Sequence, residues 1–342
     1  MLRSRYNKAR YTITKKVPLP KTFYLVINSK CNARCMMCDI GNKNRGTQFY
    51  EVMNKRTEWS MDQFEGFIDD VKQYATTISI TSTEPLLHKN IIDMIQYTKE
   101  VDLRCNITTN GYLLPKYAKE LCDVKLDRIS ISLDALPELH NKIRRTDGLW
   151  EKAWAGIIQI QREDNRPHIE IDTVITPMNQ DKLYELAVLI KEMCDVHIIN
   201  HMNFVTEGMV EGTDMPCTAS SVSHVNPKEI DEVVLYTELL RIQNINSNII
   251  VSPNLKTIPE IEKYYKTYQF LKGCDTCKAM WSVGQILANG EVGVSTRCYN
   301  LSFGNINTES FKDIWNGDKF NKFRRYITDT KPIACARCCG VF

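Results

Sequence analysis

What most constrains the fold of this chain is an alternation. From residue 22 to about 204, short apolar runs of strand type alternate with longer stretches of helical spacing. Strands are predicted at Phe23–Asn28, Thr77–Thr81, Arg104–Thr108, Arg128–Leu133, Ile169–Ile175 and Val196–Phe204. One helix is predicted from Ser60, with Gln63 in capping-box position, to about Ala75. Others are predicted over about 89–101, 115–123, 149–163 and 180–194. Six β/α units in series require parallel strands with covering helices, because only a crossover brings the next strand back in the same direction. Chemistry in such folds gathers at the carboxyl ends of the strands.

The first of those ends carries Lys30-Cys31-Asn32-Ala33-Arg34-Cys35-Met36-Met37-Cys38. The spacing C-x3-C-x2-C puts three thiolates on one turning piece of backbone. Thiolates are the soft ligands of iron–sulfur clusters, and a cubane with three protein ligands keeps one iron open for a substrate or cofactor. Zinc is the rival, although structural zinc takes four protein ligands and favours paired C-x2-C knuckles. A disulfide suits an odd trio poorly. Thirteen cysteines with no stretch that reads as a signal peptide point to a reducing, cytoplasmic setting. Hydrophobic content of 43%, charged content of 25% and a net charge of +3 are those of an ordinary globular protein. No apolar run is long enough to span a membrane, and neither membrane nor nucleic acid is an expected partner. Residues 1–21 hold seven Lys and Arg with no acid, and read as a solvated basic extension.

The cysteine loop behind a first strand resembles the signature of the radical S-adenosylmethionine (SAM) superfamily. Methionines Met36 and Met37 stand where that family usually has an aromatic residue. The resemblance implies an α/β fold, a partial (β/α)6 TIM-like barrel, with a [4Fe-4S] cluster on Cys31, Cys35 and Cys38 whose fourth iron binds SAM. It also assigns polar clusters at later strand ends. Ser82-Thr83-Glu84-Pro85 is similar to the family's Gly-Gly-Glu-Pro stretch, and implies contact of Ser82, Thr83 and Glu84 with the SAM amino group. Asn110, in Thr108-Thr109-Asn110-Gly111, is a side chain able to meet the ligand. Ser132 and Asp134 share one strand face at period two and resemble the pair that meets the SAM ribose. Arg144, within His140–Arg145, resembles the arginine that takes the SAM carboxylate.

Residues 205–225 read as a loop, and Glu229–Gln243 as a helix of a bridging segment. A second cysteine set follows. Asn289-Gly290, flanked by Trp281–Leu287 and Glu291–Ser295, signals a hairpin, and a helix is predicted over about Ser310–Tyr326. The order Cys277, hairpin, Cys298, helix, Cys335-x2-Cys338 resembles the SPASM auxiliary-cluster extension in its shorter "twitch" form. That implies one auxiliary [4Fe-4S] cluster on Cys277, Cys298, Cys335 and Cys338; a four-thiolate zinc site is the lesser alternative. The expected division is a basic extension over 1–21, a core over 22–225, a helical bridge over 226–273 and a small cysteine-rich auxiliary domain over 274–342. Cys105, Cys122 and Cys194 fall in apolar patterns and read as core.

The family's chemistry begins with reductive cleavage of SAM to a 5′-deoxyadenosyl radical, which takes a hydrogen atom from substrate. An auxiliary cluster with four protein ligands has electron transfer as its natural role. The expected reaction is therefore oxidation of an alcohol on a sugar-like small molecule, with a flavodoxin or ferredoxin as low-potential donor. Epimerisation with Cys217 or Cys274 as hydrogen donor, modification of a peptide, and a non-catalytic iron–sulfur electron carrier are the alternatives. His201, Asn203 and Glu207 are candidate polar contacts for the substrate.

Overall fold

The computed structural model describes residues 16–39, 55, 57–81, 83–214, 225–245, 248–273, 277–293 and 301–338. The basic arm up to residue 15, and the candidates Ser82, Cys217, Cys274 and Cys298, lie outside the described residues. Strands β1 (Thr22–Leu25), β2 (Thr77–Ile80), β3 (Arg104–Thr109), β4 (Arg128–Ser132), β5 (His168–Ile175) and β6 (Val196–His201) succeed one another. Helices α1 (Met61–Val71), α2 (Ile91–Glu100), α3 (Leu114–Asp123), α4 (Pro137–Arg144), α5 (Leu149–Gln161) and α6 (Leu183–Ile190) stand between them. The capping box forms as its spacing predicts: Ser60 Oγ accepts from the Gln63 N–H, and Gln63 Oε1 accepts from the Ser60 N–H.

Beyond β6 come α7 (Glu207–Glu211), α8 (Glu232–Gln243), β7 (Ile249–Ser252) and α9 (Ile258–Lys266). The C-terminal part adds β8 (Val283–Ile286), β9 (Val292–Gly293), α10 (Phe311–Asn316) and α11 (Asp318–Thr330). The single helix predicted over 310–326 is thus two, parted at Gly317, which caps both. One sheet runs β7-β6-β5-β4-β3-β2-β1-β8-β9, every pair parallel except β8–β9. It is open at β7 and β9, a partial barrel of α/β type. Two of its strands were not foreseen as partners of the core. β7 grows from the segment read as a helical bridge, and β8 lies in register with β1, Phe23 opposite Gly284.

The two faces of the sheet differ in chemistry. Ile78, Ile80, Cys105, Ile107, Ile129, Ile131, Ile169 and Ile171 are buried against the helices. On β1, Phe23 meets Phe67 of α1 and Phe311 of α10 edge to face, at 5.5 and 4.8 Å between centroids. Register places Ser79, Asn106, Thr108, Arg128, Ser130, Ser132, Glu170 and Asp172 on the opposite, concave face. That face is polar from β2 to β5, so the interior of the curl is a lining rather than a packed core. No helix among the described residues is long and apolar enough to cross a membrane.

Candidate active site

The cysteine loop is fastened from two sides. Asn28, fully buried just past β1, donates from Nδ2 to the Glu84 carbonyl at 3.0 Å and accepts the Lys30 N–H at 2.7 Å. On the other side the Arg34 and Met36 N–H groups donate to the Arg144 and Ile143 carbonyls that end α4. The helix's last carbonyls thereby hold the loop. No disulfide joins Cys31, Cys35 and Cys38, and Arg144 Nη1 donates to the Cys35 Sγ at 3.7 Å. Burial pushes the Cys31 and Cys35 thiols up to about 12 and about 11, although Cys31 keeps an exposed edge. Such thiols give up protons to a metal centre rather than to water. Three thiols on one loop, none of them in a disulfide and one beside a guanidinium, are the kind of donor set a [4Fe-4S] cluster takes.

Glu84 ties this loop to the ends of β2 and β3. Its N–H donates to the Lys30 carbonyl at 3.0 Å. Oε1 accepts from Thr109 Oγ1 at 2.7 Å and the Leu86 N–H at 3.1 Å, and Oε2 accepts the Asn110 N–H at 2.8 Å. Burial raises this carboxyl to about 7 in spite of its three donors. A carboxylate has about four lone-pair positions, so one remains for a ligand ammonium. Asn110 reaches back from Nδ2 to Asn32 Oδ1 in the cysteine loop at 2.7 Å. The turn needs Gly111: φ is +84°, and a Cβ there would stand 2.5 Å from that of Ala153 on α5. Thr83 is half-buried beside Glu84.

Asp134 and Arg144 form a forked ion pair, Nε–Oδ2 at 2.6 Å and Nη2–Oδ1 at 3.1 Å. The Val174 N–H, near the end of β5, donates to the same Oδ1 at 3.0 Å. Asp134 was expected at a ribose. It is 0% exposed, with both oxygens on protein donors, and the structure gives it to Arg144. Of the five guanidinium N–H groups, two meet Asp134 and one meets Cys35, which leaves two. Ser132 stays half-buried on the concave face, in register with Asp172. His140, read with the arginine stretch, accepts the Asp134 N–H through Nδ1.

Two acids on the concave face escaped sequence reasoning. Glu170 is compensated: Arg128 Nη1 donates at 3.1 Å and Ser130 Oγ at 2.9 Å. Asp172 has a long contact from Asn200 Nδ2, 3.4 Å, and no direct ion pair among the described residues; Arg128 and Arg144 act on it only through space. Burial, then the charge of Glu170, raises its carboxyl to about 6. Asp172 is two residues before Val174, roughly 7 Å along the strand from the contact with Asp134. The alternation Ile169-Glu170-Ile171-Asp172 was the available signal. Of the other candidates, His201 lies on the opposite face, its Nδ1 paired with the Tyr265 hydroxyl of α9 at 2.9 Å. Burial drops it to about 3, so the ring is neutral. Asn203 is half-buried, and Glu207 stands in the first turn of α7.

Of the second cysteine set, Cys277 lies just before β8, and Cys335 and Cys338 follow α11. Cys335 is buried, Cys338 and Cys277 are half-buried, and no disulfide joins them. The Cys338 N–H donates to the Cys335 carbonyl at 3.1 Å and closes the C-x2-C turn. This part is joined to the core by the β1–β8 pairing and by Trp59, whose indole N–H donates to the Leu287 carbonyl at 3.1 Å.

Comparison with known proteins gives two domain matches. The family model of the radical SAM superfamily matches residues 25–190, and that of the SPASM iron–sulfur cluster-binding domain matches 277–339. A tungsten-containing aldehyde ferredoxin oxidoreductase cofactor-modifying protein of Pyrococcus furiosus is 25% identical, over 93% of this chain and 87% of its own. An AdoMet-dependent heme synthase of Methanosarcina barkeri is 26% identical, over 89% of this chain and 85% of its own. Among solved structures, Streptococcus suis SuiB bound to its precursor peptide SuiA superposes with a TM-score of 0.67 at 16% identity. That match covers 98% of this chain and 74% of SuiB. The match to residues 25–190 takes in the Cys31, Cys35 and Cys38 loop with the Glu84 and Arg144 sites, and the match to 277–339 takes in Cys277, Cys335 and Cys338. The chain belongs to the radical SAM superfamily and carries a SPASM-type iron–sulfur domain at its C-terminal end.

Proposed function

We propose that this protein is a radical SAM oxidoreductase that removes a hydrogen atom and then an electron from an alcohol carbon of a hydrophilic small molecule. The observation that supports it is the continuity of the sheet from the cysteine loop's own strand into the second cysteine region. β8 pairs with β1 along its whole length, so the strand that follows Cys277 is fixed to the strand that leads into the cysteine loop. Fixed separation is what electron transfer between two centres requires. The [4Fe-4S] clusters that Cys31, Cys35 and Cys38, and Cys277, Cys298, Cys335 and Cys338, would hold supply one-electron reduction of SAM and a one-electron acceptor.

The protein's own groups do the rest. The two remaining N–H groups of Arg144 receive the SAM carboxylate, and the last lone pair of Glu84 receives its ammonium. Asp134 and the Val174 N–H fix the plane of the guanidinium. Thr83, Asn110 and Ser132 line the same end of the sheet. Below them the polar face of β3–β5 accepts a hydroxylated substrate, and water is excluded where it meets α4 and the cysteine loop. Asp172 takes the hydroxyl proton as the alcohol becomes a carbonyl. Its carboxyl near 6 is matched to that task close to neutral pH.

The test is anaerobic turnover of the reconstituted protein under reduction. Formation of 5′-deoxyadenosine, with a product two electrons more oxidised than substrate, is expected. Deuterium from heavy water appearing on a carbon of unchanged oxidation level would instead show hydrogen return, and would sink the oxidase reading. Failure of SAM cleavage in protein holding both clusters would sink the class.

A further inference from the structure

Between the cysteines of the Cys335-Ala336-Arg337-Cys338 turn stands a side chain with a peculiar environment. Arg337 is 0% exposed. Its guanidinium donates only to carbonyl oxygens. Nε meets the Tyr264 carbonyl, Nη1 those of Ala336 at 2.7 Å and Gln269 at 3.0 Å, and Nη2 those of Lys263 at 2.7 Å and Thr267 at 2.9 Å. The guanidinium carbon also lies 4.9 Å from the centre of the Tyr264 ring. Four of the acceptors belong to the last turn of α9 and the chain just beyond it. Such a cap answers the orphan carbonyls of a helix end. A helix terminus, however, offers only about half an elementary charge.

A buried charge normally has an opposite charge at hand, as Arg144 has Asp134. Among the described residues no carboxylate pairs with Arg337. The negative groups nearest in the chain are the thiols themselves, Cys338 adjoining it and Cys335 two residues before. A cluster held by four thiolates is an anion, and it gains one more negative charge on reduction. We infer that Arg337 is the charge partner of the auxiliary cluster. It stabilises the reduced form over the oxidised one and so raises the cluster's reduction potential, which suits a site that must accept an electron. Net charge around a cluster is among the levers that set its potential. Arg337 is on this account a tuning residue, not a catalytic one. Because its donors reach α9, whose Tyr265 pairs with His201 at the end of β6, it also fastens the C-x2-C turn to the core.

The inference rests on the ligand set proposed for the auxiliary cluster, and the test separates the two. In a C31A/C35A/C38A background the auxiliary cluster alone contributes iron and paramagnetic signal. That parent should hold about four irons per chain. If it holds none, the ligand assignment falls and the inference with it. With the parent loaded, R337Q and R337K are titrated anaerobically and followed by electron paramagnetic resonance. R337Q is expected to keep its iron and to reduce at a more negative potential than the parent, while R337K, which retains the charge, stays near the parent. R337Q reducing together with the parent would overturn the inference. So would R337K shifting as far as R337Q, or loss of iron from both, since the side chain would then act by shape alone.

Discussion

Asp172 carries a cost that can be measured without knowing the substrate. Burial and Glu170 raise its carboxyl from an ordinary value near 3.8 to about 6, so the folded chain binds a proton that the unfolded chain has released. The sign follows from linkage: between these two values the native state holds more protons, and stability falls as pH rises. Above about pH 6.5 the full penalty is present. Two units at about 1.4 kcal/mol each make it roughly 3 kcal/mol, and near pH 5 about half of that has developed. D172N removes the ionisation while an amide oxygen can still accept from Asn200. The variant should therefore be more stable than wild type by roughly 3 kcal/mol at pH 8 and by half as much at pH 5. For a chain of 342 residues that is a gain in Tm of roughly 4 °C at pH 8, shrinking toward acid. Differential scanning calorimetry of both proteins across pH 5–8 reads the difference directly. An advantage that is equal at the two ends of that range, or larger at pH 5, would refute the reasoning. The same variant should lose product formation, since the stabilised amide takes no proton.

Other outcomes follow from the same geometry. C31A/C35A/C38A should lose about half of roughly eight irons and all formation of 5′-deoxyadenosine, checked by iron assay and chromatography. E84A should weaken SAM binding by one to two decades in equilibrium dialysis, for a lost charge-assisted bond of about 1.5–3 kcal/mol. R144A should do the same and also destabilise the fold by about 3–5 kcal/mol, because Asp134 is left buried and unpaired. Adding D134N to R144A should recover much of that stability in denaturant melts and none of the SAM affinity. G111A should cost roughly 2–4 kcal/mol from a left-handed φ and the overlap with Ala153, read by the same melts.

Much of the core was legible because its two periods are clean. Isoleucines at alternate positions in β4 and β5 and the Ser60–Gln63 box mark elements whose local preference agrees with their place. What stayed hidden depends on contacts far apart in the chain. His140–Arg145 reads as a polar ligand stretch, and only Pro137 at its start hints at α4; its buried residues are His140, Ile143 and Arg144, a face that simple hydrophobicity does not mark. β7 is a four-residue edge strand with little burial of its own. Asp134 looked like a ligand because it shares a face with Ser132. That its oxygens belong to Arg144 and Val174 follows only when α4 folds back over β5. Arg337 shows the same limit, since its carbonyl partners lie up to 74 residues away.

The pairing of β8 with β1 has a consequence for how such a chain can be cut or recombined. β1 is an interior strand only because residues 283–286 cover its outer edge, and the Val26 N–H beyond it still donates to the Ile286 carbonyl. Removing everything past residue 273 would uncover a row of backbone donors and acceptors on the strand that leads into the cysteine loop. It would also strip Phe311 from Phe23. An uncovered edge of this kind recruits strands from other molecules. The C-terminal region is therefore no detachable cassette: a chain cut after residue 273 would be a self-associating fragment, with the cysteine loop beside the sticky edge.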